Sequence, residues 1–229
     1  MKMFAHAAVL STFLLVFSGS ARGAETEVAA VPFPVASVYM EQNATDGDME
    51  VVFEVKGGQD GLSELRVAAP DGRPVVAFRA PDASTLGIRQ FRFESPEPGD
   101  ATALQAAYPE GVYAFAGTTS TGATLVGTAT LSHRLPAPTT VVTPAAAPVS
   151  VHECGISWSA VEGVASYVVS IKQKELNVQM TALLPGSSTS FAVPPGFLVP
   201  GRHYHLAIGT VTREGNVSYV ETTFTTAQE

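Results

Sequence analysis

The chain has 229 residues, 45% hydrophobic and 15% charged, with 20 glycines and 16 prolines. Such a composition fills packed cores but is punctuated too often for long helices, which excludes a helical bundle or coiled coil. The formal net charge of −8 repels phosphate backbones and anionic lipid heads, so neither nucleic acid nor a membrane surface is an expected partner.

Met1–Gly23 reads as a secretory leader. Lys2 supplies a basic start, Ala7–Phe17 an apolar run, and Ala21 and Gly23 the small residues that predict cleavage before Ala24. The run is too short for a membrane anchor, which takes about 20 residues to cross a bilayer core. No cysteine lies near the cleavage point for a lipid to attach to. The only cysteine, Cys154, closes no intramolecular disulfide, and no Cys/His spacing marks structural zinc. A disulfide-free exported chain fits a bacterial periplasm or exterior, where the sequons at Asn43 and Asn216 carry no weight.

Downstream of the leader the pattern is short strands between turn signals. Glu50–Val55 alternates so that Val51, Phe53 and Val55 share a face, and Gly57–Gly61 stops it. Leu65–Val67 and Val75–Arg79 flank the turn Pro70-Asp71-Gly72-Arg73, which predicts a hairpin. Phe91 and Phe93 point one way and Arg92 the other. Asp100 caps a two-turn helix over Ala101–Ala107. Val112–Thr118 and Thr124–Ser132 are strands, with Tyr113 and Phe115 inward and Leu125, Gly127 and Ala129 on one face.

Residues 136–148 are rich in Pro, Ala and Thr and read as a stiff linker, within which Val141-Val142 can pair as an edge strand. Beyond it, Ile156 and Trp158 face inward, as do Tyr167, Val169 and Ile171. Val178–Leu183, Ser188–Val193, His203–Thr212 and Ser218–Thr225 complete the set. The expected fold class is all-β: two tandem immunoglobulin-like sandwiches, 24–135 and 149–226, with one short helix in the first.

The second half resembles a fibronectin type III domain across Val149–Thr226. The resemblance is carried by Ile156-Ser157-Trp158, Ala165-Ser166-Tyr167-Val168-Val169 and Leu198-Val199-Pro200-Gly201-Arg202-His203-Tyr204. It implies that the Tyr204 hydroxyl bonds backbone at the preceding corner and that Gly215-Asn216-Val217-Ser218 is the last hairpin turn. It implies a fold and no activity. The first half is similar to the amino-terminal module of uncharacterised exported bacterial proteins, through Tyr108–Thr119 and Gly122–Pro136. That similarity implies no catalytic residue, only that the two modules travel together.

Candidate chemistry is sparse. His152-Glu153 opens like a zinc-protease motif, but Ile156 stands where the second His belongs. Cys154 shares parity with Ile156 and Trp158, which makes it a core filler with a raised thiol pKa. His203 and His205 share a strand face opposite Tyr204, Leu206 and Ile208, yet a transition-metal site needs further ligands. Asp46, Asp48 and Glu50 alternate as a calcium loop would, without the full 12-residue pattern, so an acidic turn is favoured. With no nucleophile elbow, phosphate loop or dinucleotide fingerprint, no catalytic, cofactor-binding or metal residue is assigned and no cofactor is expected.

The expected function is an exported, non-catalytic binding or scaffolding protein whose partner is a protein or cell-envelope component. A carbohydrate-associated accessory module is the alternative, for which clustered exposed aromatics would speak. A small hydrolase would need a deep polar pocket with a titratable pair, which two closed sandwiches form only at their junction. The acidic excess lies in Ala24–Leu135, so the weakly charged second half is the expected contact surface. Ser218–Thr225 is one candidate edge for a partner strand, where a proline at Val220 should abolish binding without unfolding the module.

Overall fold

The computed structural model describes residues 30–80, 82, 86–97, 100–144 and 148–228. The expected leader, Met1–Gly23, lies outside these. The first half contains β1 (Val31–Pro32), β2 (Val35–Asn43), β3 (Met49–Lys56), β4 (Leu62–Ala68), β5 (Pro74–Arg79) and β6 (Gln90–Glu94). The helix α1 (Ala101–Ala107), β7 (Gly111–Thr119) and β8 (Thr124–Leu131) follow. The Asp100 side chain accepts from the Thr102 N–H at 2.8 Å, so the cap expected from sequence starts the helix.

In the first sandwich the sheet β1-β8-β7-β4-β5 faces the layer β2-β3-β6. Val51, Phe53 and Val55 from β3 meet Leu65, Val67, Tyr113 and Phe115 between the layers, as alternation requires. The small residues on β8 have a specific reason. A Cβ at Gly127 would stand 3.2 Å from the Ala36 Cβ and 3.3 Å from the Phe33 ring, so glycine lets the chain cross closely from β1 to β2.

The second half contains β9 (Val141–Thr143), β10 (Gly155–Trp158), β11 (Ser166–Gln173), β12 (Val178–Pro185), β13 (Ser190–Ala192), β14 (His203–Val211) and β15 (Val217–Thr225). Here β13-β10-β9 packs against β12-β11-β14-β15. Ile156, Trp158, Tyr167, Val169 and Ile171 are buried between them. Val141–Thr143 pairs with β10, so the second sandwich begins inside the proline-rich stretch 136–148.

The two sandwiches have one topology. Counting β2–β8 and β9–β15 each as seven strands, the first, second and fifth make one layer, and the seventh, sixth, third and fourth the other. Both use a tyrosine near the start of the sixth strand to tie down the preceding corner. Tyr204 Oη accepts from the Val199 N–H at 2.8 Å, and Tyr113 Oη donates to the Pro109 carbonyl at 3.1 Å.

The expected open edge at Ser218–Thr225 is closed by β2 over its first residues, Ser218 and Tyr219. β15 lies inside a seven-stranded sheet, β12-β11-β14-β15-β2-β3-β6, paired antiparallel with β14 and parallel with β2. The Glu221 N–H points to Thr45, so that of its neighbour Val220 points to β14, opposite Ile208. Proline at Val220 therefore breaks a ladder bond inside the sheet and is no test of an edge. The sheet ends at β12 and β6 instead.

Tyr204 is fully buried, and Tyr204→Phe strips the Val199 N–H of its acceptor. The variant should lose about 1–3 kcal/mol, read as a lower denaturation midpoint at unchanged slope.

Candidate functional site

The seam between the sandwiches is built from a turn. Gly215, at φ +98°, closes the β14–β15 hairpin with its N–H on the Thr212 carbonyl, which leaves the next residue, Asn216, against the first sandwich. Asn216 is 2% exposed. Its Oδ1 accepts from the Met40 N–H at 2.9 Å, and its Nδ2 donates to the carbonyls of Ser132 (2.8 Å) and Arg134 (2.9 Å). The amide of this sequon is thereby fully committed to backbone.

Neighbouring hydroxyls fasten the connecting chain. Ser218 Oγ donates to the Pro136 carbonyl and Thr210 Oγ1 to that of Ala137, each at 2.8 Å. Across the strand pair, Ala44 N–H donates to the Tyr219 carbonyl (2.8 Å) and Glu221 N–H to Thr45 Oγ1 (2.7 Å). Each bond removes a backbone group from the list that burial would leave unpaired.

Beside the seam, the outward face of β2, β3 and β6 carries a carboxylate cluster around one cation. Arg92 donates to Glu54 (2.9 Å), Glu41 (3.2 Å), Glu94 and the Tyr39 hydroxyl (2.6 Å). Val52 is fully buried on this same face, with Tyr39 and Glu94 as its cross-strand neighbours. Burial raises the Glu41 carboxyl, with Arg92 opposing. Glu50 is pushed up to about 7, by burial first and then by the charges of Glu94 and Glu41. Burial likewise raises the Tyr219 hydroxyl to about 12.

Two open grooves run along this face. One, of about 170 Å³, has Glu41, Asn43, Asp48, Glu50, Glu97, Tyr219 and Glu221 in its walls. The other, of about 360 Å³, spans both sandwiches, with Tyr39, Arg92, Val168, Val211 and Tyr219 among its lining. Gly209 makes room for the tyrosine, since a Cβ there would lie 2.6 Å from its ring. The arrangement is an anionic, hydrogen-bond-accepting surface with an aromatic floor, and it suits a cationic group.

The sequence candidates are dispersed. Asp46 spends its carboxylate inside the turn, accepting from Asn43 Nδ2 and the Asp48 N–H, while Asp48 and Glu50 line the smaller groove. His203 Nδ1 meets Thr225 Oγ1 at 2.9 Å, whereas His205 lines a third groove with Lys172 and Lys174. No group of three His, Cys, Asp or Glu placed for a metal occurs among the described residues. His152 lies in a non-helical segment before β10, and Cys154 is buried in the second core, where burial raises its thiol.

The carboxylate cluster went unassigned in the sequence. Parity alone turns Glu41, Glu50, Glu54, Arg92 and Glu94 outward, but only the strand register, Glu41 beside Glu50 and Glu54 beside Arg92, brings them together. No helix among the described residues is long and apolar enough to cross a membrane.

No family model matches the chain, and neither does any curated protein. Among solved structures it is similar to the FN1–FN3 domains of chicken CNTN1, at 12% identity and TM-score 0.34, over 86% of this chain and 67% of that one. It is also similar to a segment of two fibronectin type III domains from chicken tenascin, at 13% identity and TM-score 0.34, over 84% and 98%. The chain has a fibronectin type III-like fold. Its warrant is the strand order of the two layers and the Tyr204 corner rather than these distant likenesses.

Asn216→Ala leaves one N–H and two carbonyls at the seam without partners. It should cost about 3 kcal/mol and raise hydrogen exchange at Met40 and Ala44 while the Tyr113 core stays protected.

Proposed function

We propose that the chain is an exported, non-catalytic binding or scaffolding protein whose contact surface is the open face of the seven-stranded sheet. The observation that carries this reading is the sharing of one sheet by both sandwiches, which aligns their outward faces into a continuous surface. The excess of carboxylates around Arg92 favours a protein partner that presents Arg or Lys. This moves the contact surface from the second half alone, as composition suggests, to the face that spans both. Cleavage before Ala24 and the similarity of Tyr108–Pro136 to exported bacterial modules support a periplasmic or extracellular site.

The hydrolase alternative has titratable groups at the junction, but they line open grooves rather than a deep pocket. The glycan alternative has one observation in its favour, the Tyr219 ring lying over Gly209. Against it, the large apolar side chains exposed among the described residues, such as Leu183 and Val112, are aliphatic.

Crosslinking in the native envelope, with the chain from Ala24 as bait and mass spectrometry as readout, tests the reading. A protein partner should crosslink to Lys172 or Lys174 and to carboxylates of the junction face, and Glu50→Lys with Glu221→Lys should reduce its capture at least tenfold. Recovery of glycan alone, or turnover of a chromogenic substrate panel with no partner, overturns it.

A further inference from the structure

The seven-stranded sheet ends at β12, which pairs with β11 along its whole length, from Val178 with Gln173 to Pro185 with Ser166. No other strand among the described residues pairs with it, so alternate N–H and C=O groups of its outer rim are open. β13 likewise ends its own layer, which leaves this side of the second sandwich bare in both layers. From Val178 to Gly201, a stretch that contains both strands, the chain has no charged residue.

The first sandwich shows how such a rim is blocked. Its fourth strand, β5, is the counterpart of β12 in the shared topology. β5 begins on Pro74, shifts register against β4 at Val67/Ala68, and ends on Arg79, which is paired with Glu64 at 3.0 Å. Proline, an irregular ladder and charge are the devices that keep edges from pairing. β6, the other end of the seven-stranded sheet, carries Arg92 and Glu94. β12 has an unbroken ladder and only Pro185, at its last position.

Its side chains are also under-covered. Met180 and Leu184 share parity with the core residues Ile171 and Tyr167 across the ladder, yet the facing layer ends at β13 and leaves them half-buried. On the outer face, Leu183 is 72% exposed opposite Val168.

The two ends of the rim differ in charge. Lys172, opposite Gln179, and Lys174, in the β11–β12 turn, stand at one end. Glu162 stands at the other, two residues before Val164, whose carbonyl lies against Gly186. None of the three is in an ion pair among the described residues, whereas Glu175 is held by Arg202 at 3.1 Å. Two copies laid antiparallel set the lysine end of each against the Glu162 end of the other; laid parallel, they set like on like. For a chain of net charge −8, an uncharged rim with complementary ends is a place where a second copy approaches without repulsion.

We infer that β12 pairs antiparallel with the β12 of a second copy, joining two seven-stranded sheets into one about a two-fold axis. Such a pairing uses the same rim of both copies and therefore closes at two. The added strand covers Met180, Leu183 and Leu184 and matches the open backbone groups. A single strand pair is a small interface, so the association is weak and depends on concentration.

The pairing uses the rim of the sheet and not its open face, so it stands or falls separately from the proposed function. Light scattering on the full chain tests it: from roughly 1 μM to roughly 1 mM the mass should rise from that of one chain towards that of two and stop there. Thr181→Lys with Leu183→Lys, both at exposed positions, should weaken the association at least about tenfold by placing like charges across the pair. A mass that stays at one chain, a mass that climbs past two, or a dimer that the double variant leaves undiminished overturns the inference. If the double variant does not fold, hydrogen exchange on the unaltered chain decides. Slower exchange of the β12 amides at high than at low concentration, with Val169 inside β11 unchanged, supports the pairing, and equal exchange overturns it.

Discussion

The arrangement of the two sandwiches depends on one side-chain amide with three backbone partners. A carboxamide offers one acceptor and two donors in a fixed plane, and Asn216 meets an N–H of β2 with the first and two carbonyls of the connecting chain with the second. Aspartate offers no donor and serine too little reach, so neither satisfies all three segments. Once the amide is seated, β15 lies beside β2, and Ser218 and Thr210 find the carbonyls of Pro136 and Ala137. The continuous sheet and the face it presents follow from that placement.

The second core shows how far hydrophobic burial alone carries such a domain. Tyr167 and Tyr204 are both fully buried, and each hydroxyl accepts a backbone N–H, from Val161 and Val199. The apolar body of each ring fills the core while its tip pairs a polar group at a corner. Trp158, on the second strand of its sandwich rather than the third, where antibody domains carry their disulfide-backed tryptophan, packs against Tyr167 at 5.3 Å between ring centres. Here the nearby sulfur is Cys154, unbridged and buried.

What sequence could tell differed by interaction range. Alternation within a strand is local, so the inward residues of β3, β7, β10 and β11, the cap at Asp100 and the Asp71-Gly72 hairpin turn were legible. The corner at Tyr204 was legible through resemblance, and its counterpart at Tyr113 carries a signal of the same kind: Pro-Glu-Gly-Val-Tyr at 109–113 parallels Pro-Gly-Arg-His-Tyr at 200–204. The neighbour of β15 was not legible, because a β-branched strand reads alike at an edge or within a sheet. For the same reason the Arg92 cluster was hidden. Its members are outward on three strands, and nothing local to any one of them states the register of the others.

The pairing of Val217 with Glu41 also sets an order of assembly. The partners are far apart along the chain, and β15 is made after every other strand described above. Until it is, the first sandwich can close around its own core with the outer rim of β2 bare, its N–H and C=O groups unmatched. A nascent or truncated chain is in that condition, and any extended segment within reach competes for the place that β15 will fill. Holding the chain unfolded until β15 is present removes this competition, and premature folding of the first half invites it.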